Sequence, residues 1–206
     1  MKSTKQKITR LVLLALFSAI LMVMSYTPLG YLNIGPLAIS FNVIPVALAA
    51  ATLGPVGGAV VGSVFGITSF LQCLGIGGTS AMGVILFEIS PVAAFIQRFL
   101  PRLLEGLITG FIFKGVKKIS KTPVACAVAG FSTAFLNTAL FMGMLVLLFG
   151  NTPYLQDLIN GQNILVFICT FVGINAVCEM ISSTLLTGAI GTALYKAKVV
   201  PEIKNK

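Results

Sequence analysis

A few charged and amide side chains stand inside runs that are otherwise apolar, and their types define what chemistry the chain can do. Arg98, Arg102 and Glu105 fall at i, i+4 and i+7, which puts all three on one face of a helix. Asn137 lies in the next apolar run, and Asn175 and Glu179, four residues apart, lie in the last. An ionisable group in such a run is expensive to keep in lipid and reads as a binding or relay group. A guanidinium suits a carboxylate, which it grips through two parallel hydrogen bonds. Arg102 and Glu105 are close enough to pair, which would make them a packing device. Arg98 has no acidic residue one turn away on its helix and is free to snorkel outward or to bind an anion. A carboxylate is more than helix bridging needs, so Asn175 and Glu179 read as ligand contacts. Asn137, with Thr133 four residues before it and Thr138 beside it, reads equally as ligand contact or as an interhelical bridge worth about 0.6 kcal/mol. Together these groups describe a pocket for a small polar molecule, open to the outside.

The elements that position them follow from composition. Of the 206 residues 57% are hydrophobic and only 9% charged, and the mean hydropathy is +1.02. A soluble domain carries roughly 25% charged residues, so the chain reads as a single membrane domain over residues 1–206, an all-α integral membrane protein. Six transmembrane helices are expected at about 8–26, 42–53, 56–71, 92–113, 123–149 and 163–195. The second is too short to cross roughly 30 Å of hydrocarbon unless the residues before it also insert. Residues 27–41, 72–91 and 150–162 are expected as outer loops. The first could form a small hairpin around Gly35-Pro36, and the second, rich in glycine, reads as the most flexible segment. The first apolar run is long enough to span and lacks a small-x-small cleavage site, so it reads as a retained helix and not a signal peptide.

Twelve of the fourteen Lys and Arg residues form three clusters: Lys2, Lys5, Lys7 and Arg10; Lys114, Lys117, Lys118 and Lys121; Lys196, Lys198, Lys204 and Lys206. Each flanks an apolar run, and basic flanks stay on the cytoplasmic side. Six spans then place both termini in the cytoplasm and the protein in a cell membrane. The net charge of +9 is a topology signal and a contact for anionic lipid, not a nucleic-acid surface. The chain has no histidine, no Gly-x-x-x-x-Gly-Lys-Ser/Thr loop and no Cys-x-x-Cys pair. These absences leave no ground for a hydrolytic or ATP-driven activity, a metal or another cofactor in this chain. The cysteines (Cys73, Cys126, Cys169, Cys178) read as small apolar side chains.

Two small-residue patterns predict close helix contacts. Ala15 and Ala19 are four apart in the first helix, and serve internal packing or docking onto a membrane partner. Gly54, Gly58, Gly62 and Gly66 line one face of the third, expected to meet the first or the sixth.

The run Leu53-Gly54-Pro55-Val56-Gly57-Gly58-Ala59-Val60-Val61-Gly62, the stretch Phe99-Leu100-Pro101-Arg102-Leu103-Leu104-Glu105-Gly106, the pair Asn175 and Glu179 and the small residues of the first helix resemble the substrate-binding (S) components of energy-coupling-factor (ECF) vitamin transporters. The resemblance spans essentially the whole chain. Tyr26-Thr27-Pro28-Leu29-Gly30-Tyr31 and Gly35-Pro36 are most similar to pantothenate-type members, with riboflavin-type close behind. The resemblance implies a subunit that captures a vitamin from outside and docks through Ala15 and Ala19 on a transmembrane coupling (T) subunit. Two cytosolic ATPases would hydrolyse the ATP, and residues 74–90 would cover the pocket. Phe17 and Ser18 stand between the two alanines of the docking motif. For pantothenate, the carboxylate would meet Arg98, with Arg102, Asn137, Asn175 and Glu179 around it. The alternatives are riboflavin, a pyridoxine-like or hydroxymethylpyrimidine-like compound, or a stand-alone proton-coupled carrier using Glu105 or Glu179. The absence of Trp and the presence of only four Tyr favour a non-aromatic ligand.

Overall fold

Glycine and proline punctuate the apolar runs, and the helices begin and end at them. The computed structural model describes residues 4–33, 38–78 and 80–200. Its described elements are α1 (Thr4–Ser25), a hairpin of β1 (Tyr31–Asn33) and β2 (Ala38–Ser40), α2 (Val43–Leu53), α3 (Pro55–Leu71), a 3-10 turn at Gln72–Leu74, α4 (Ala81–Ile89), α5 (Pro91–Ile119), α6 (Thr122–Phe149), α7 (Pro153–Ile159) and α8 (Ile164–Lys196). The strands pair antiparallel with Tyr31 opposite Ser40. Gly35-Pro36, at the expected turn, lies outside the described residues.

Helix α2 is apolar all round, and every one of its residues is buried, as such a helix must be. It packs against α1, α3, α5, α6 and α8 and forms the central post of the molecule. Gly54, at φ +82°, turns the chain out of α2, and Pro55 opens α3 in the position where its missing N–H costs nothing.

The glycine face of α3 meets α5, not the first or last helix. A Cβ on Gly58 would collide with the Gly106 carbonyl, one on Gly62 with the Arg102 carbonyl, and one on Gly66 would lie 2.8 Å from the Phe99 Cα. Close backbone approach of this kind is what small residues give membrane helices, and it sets the rotation of α5 about its axis. α6 and α8 meet similarly at Gly130, whose carbonyl accepts from Ser183 Oγ at 2.9 Å.

Basic side chains from two of the three clusters gather at the C-terminal end of α2. Arg10 Nη2 donates to the Leu53 carbonyl at 2.7 Å, and Lys114 reaches Gly54. Lys117 contacts Thr122 and lies 4.8 Å from the Tyr195 ring centroid. Tyr195, beside the third cluster, donates to the Ala51 carbonyl at 2.8 Å. Cations are favourable where a helix leaves its last carbonyls unpaired.

Four helical segments are long and apolar enough to cross a membrane: Thr4–Ser25, Pro55–Leu74, Thr122–Phe149 and Ile164–Lys196, with Val43–Leu53 a shorter apolar helix. α5 falls outside this set because Arg98, Arg102 and Glu105 interrupt its apolar run. Several expected boundaries are corrected. The glycine-rich segment 72–91 contains α4, and 150–162 contains α7. The lysine-bearing connection is largely helix, because α5 continues to Ile119 with Lys114, Lys117 and Lys118 in its last turns.

Candidate functional site

A cavity of about 560 Å³ lies at the end of α2 away from the basic side chains. Its wall comes from the C-terminal end of α1 (Ser25, Tyr26), the hairpin (Tyr31, Ser40), the segment before α4 (Gly77, Ser80) and the middles of α5, α6 and α8. A site of this volume suits a small ligand held largely out of water.

α5 carries Arg98 and Arg102 into this wall, and α3 adds Phe65 and Ser69 beside them. Arg98 is 7% exposed, so burial replaces the outward snorkelling that its position near the helix start suggested. Its Nη2 donates to Ser80 Oγ at 3.1 Å, and its guanidinium carbon lies 5.1 Å from the Phe141 ring centroid. Arg102 lies 4.2 Å from the same ring and 5.2 Å from that of Phe65. Two cations thus share one aromatic ring, each favoured by its quadrupole. Arg98 Nε and Arg102 Nε and Nη1 are buried without a hydrogen-bond partner. The expected Arg102–Glu105 hydrogen-bonded pair is absent: both Glu105 oxygens also lack a partner. Glu105 is fully buried and does not line the cavity.

Another part of the wall is held by Glu179, whose Oε1 accepts from the Ser40 peptide N–H at 2.6 Å and whose Oε2 accepts from Asn137 Nδ2 at 3.2 Å. Asn137 Oδ1 and Ser40 Oγ remain buried without partners. Asn175 lines the same cavity. Thr133, one turn from Asn137, is instead a bridge: its Oγ1 donates to the Ala129 carbonyl at 2.8 Å and lies 3.1 Å from Thr109 Oγ1.

The covering layer is tied down by local geometry. Ser80 caps α4, its Oγ accepting from the Gly83 N–H at 3.3 Å. Gln72 Nε2 donates to the Ser25 carbonyl at 2.8 Å. Gly77, at φ +75°, lies flat on the Tyr26 ring, where any Cβ would collide. Burial is the largest influence on the Tyr31 phenol and raises its pKa above the ordinary value, so it stands as a protonated hydroxyl at neutral pH.

All five ligand candidates from the sequence, Arg98, Arg102, Asn137, Asn175 and Glu179, line one cavity. Ser80, Ser40, Tyr31 and Phe141 were not among them. Ser80 carried a signal, a helix-capping serine before an apolar run; Ser40 offers its backbone, which sequence does not distinguish. Ala15 and Ala19 lie elsewhere, exposed on α1.

Residues 9–191 match the family model described as "ECF transporter, substrate-specific component". The chain is 27% identical over 203 residues to the pantothenic acid transporter PanT of Lactococcus lactis subsp. cremoris, across 94% of this chain and 97% of that protein. It is 29% identical over 205 residues to the pantothenate transporter PanT of Leuconostoc mesenteroides subsp. mesenteroides, across 93% and 94%. With a match of this extent and a polar cavity enclosed by apolar helices, the chain belongs to the substrate-specific components of ECF transporters.

Proposed function

We propose that the chain is the pantothenate-binding subunit of an ECF-type importer, working with a transmembrane coupling subunit and two cytosolic ATPases. One observation carries the choice of ligand: two buried guanidiniums hold N–H donors without partners at the edge of a cavity that also offers amide and hydroxyl groups. A buried charged donor without a partner is costly, and a carboxylate relieves it. Pantothenate brings one carboxylate, an amide and hydroxyls. Arg98 is the anchor for the carboxylate, with Arg102 beside it, while Asn137, Asn175 and Glu179 order the polar remainder. The names of the two relatives support the same vitamin.

The chain passes the membrane six times, with both ends inside. The convergence of Arg10, Lys114 and Lys117 on one end of α2 supports this, since that end then faces the cytoplasm. The cavity, at the other end, opens outward for capture. Ala15 and Ala19 face the coupling subunit, and ATP is used by the partners alone.

The test is a thermal-shift and native mass-spectrometry screen of the purified chain against a panel of vitamins. Pantothenate is expected to stabilise it by about 2.7 kcal/mol at a hundredfold excess over Kd. Stabilisation by a different vitamin only would overturn the ligand assignment while leaving the family role. A second reading, a stand-alone carrier, is favoured by Glu105, a fully buried carboxylate without hydrogen-bond partners and therefore a candidate proton site. Uptake by liposomes that contain this chain alone would establish it.

A further inference from the structure

We propose that Glu179 is a positioning residue: it pins the hairpin against α8 and fixes the Asn137 amide so that the cavity demands a hydrogen-bond donor from its ligand. The inference rests on the pantothenate reading and specifies which group of such a ligand the Asn137 side of the wall recognises.

The argument turns on what each group is able to do. A peptide N–H only donates, so the 2.6 Å contact from Ser40 occupies Glu179 Oε1 as an acceptor. A carboxylate only accepts, so the neighbouring Asn137 must offer its NH2 group to Oε2, as it does at 3.2 Å. The reverse amide orientation would set two acceptor oxygens face to face. Asn137 Oδ1 is then the atom left over, and it is buried without a partner on a residue that lines the cavity. Ser40 Oγ, on the strand that Glu179 holds, is buried and unpartnered as well. The cavity is therefore polarised. Its α5 wall presents N–H donors from Arg98 and Arg102, and its α6 wall presents an acceptor. A ligand that satisfies both carries an anionic group and, besides it, a hydroxyl or N–H donor. A carbonyl in place of that hydroxyl would meet Asn137 Oδ1 acceptor to acceptor.

Two variants separate the parts of this role. In Glu179→Gln the side-chain oxygen still accepts from Ser40, but its NH2 now faces Asn137. The Asn137 amide must turn, and the wall then presents a donor. In Glu179→Ala both contacts are lost. The experiment measures equilibrium binding of pantothenate and of analogues in which each hydroxyl in turn is replaced by a carbonyl. In parallel, hydrogen exchange is followed in the peptide that contains Ser40, in the protein without ligand. The wild-type protein is expected to prefer pantothenate to one of the carbonyl analogues by at least about tenfold, and Glu179→Gln to erase or invert that preference. Exchange at Ser40 should stay slow in Glu179→Gln and become fast in Glu179→Ala. Wild-type discrimination retained in Glu179→Gln, or unchanged exchange in Glu179→Ala, overturns the proposal. If the wild-type protein does not bind pantothenate, the vitamin assignment falls, and exchange at Ser40 still decides whether Glu179 holds the hairpin.

Discussion

The two ends of α2 treat polar groups in opposite ways. At its C-terminal end the polar groups are engaged: Arg10 caps the Leu53 carbonyl, Tyr195 donates to Ala51, and Lys117 has both Thr122 and the Tyr195 ring. At its N-terminal end the surrounding helices and the hairpin carry buried polar atoms without partners, on Arg98, Arg102, Asn137 and Ser40. Natural structures leave few such atoms, and those they leave call for a reason. The basic end is a finished scaffold, complete without a guest. On the proposed function the cavity end is completed by its ligand, so a change in the scaffold should cost stability and a change in the cavity should cost affinity.

The largest effect is expected where the scaffold is tightest. In Gly62→Val a branched side chain would enter the space taken by the Arg102 carbonyl. Neither backbone has room to withdraw, because Gly58 and Gly66 hold the same two helices together on either side. Overpacking of this kind costs about 3 kcal/mol, and because Arg102 itself is displaced, binding should fall as well. Thermal unfolding in detergent checks this: a melting temperature within a degree or two of the wild type would show that the α3–α5 contact is looser than its geometry implies.

Arg98→Ala sharpens the contrast from the other side. The substitution removes a guanidinium that contacts Ser80 and Phe141 and takes no part in the α3–α5 contact. Truncating one partner of a buried charge pair costs about 3 kcal/mol, which is roughly a hundredfold in Kd for an anionic ligand, while the unliganded protein should melt near the wild-type temperature. Titration calorimetry with pantothenate gives the answer directly. Unchanged affinity would remove Arg98 from the site and leave Arg102 as the anchor.

The contrast between the two ends also explains what the sequence revealed. Five cavity-lining residues were legible because Arg98, Arg102, Asn137, Asn175 and Glu179 are polar in an apolar setting, where polarity itself is the signal. The hairpin was legible from Gly35-Pro36 and the short runs around it. The partner of the α3 glycines was not, since a row of small residues announces a close contact without naming the helix that fills it. The Arg102–Glu105 hydrogen bond, plausible from a spacing of three, fails because spacing fixes a shared face and not the directions two long side chains take. α4 was hidden in the glycine-rich stretch because its nine residues, Ala81–Ile89, follow Gly75, Gly77 and Gly78, which dominate the local composition. Ser40 could not be found at all, because its N–H is a group every residue but proline owns.

The smallest effect on the isolated protein is expected on the outer face of α1. Leu13, Phe17, Leu21 and Ser25 turn inward, and Ala15 and Ala19 are exposed among Val12, Leu16 and Val23. An exposed apolar face needs no partner in lipid, so exposure alone does not distinguish a docking surface from a lipid contact. Ala15→Trp does distinguish them. If the face meets only lipid, a bulky apolar side chain is tolerated: stability stays within about 0.5 kcal/mol, ligand binding is unchanged, and uptake in cells that express the full complex continues. If a second helix approaches closely there, the indole blocks it, and assembly and uptake fail while the purified chain still binds its ligand. The second outcome is the expected one. It would add a third kind of region to the molecule, one complete in isolation like the scaffold and yet functional only through what it meets, like the cavity.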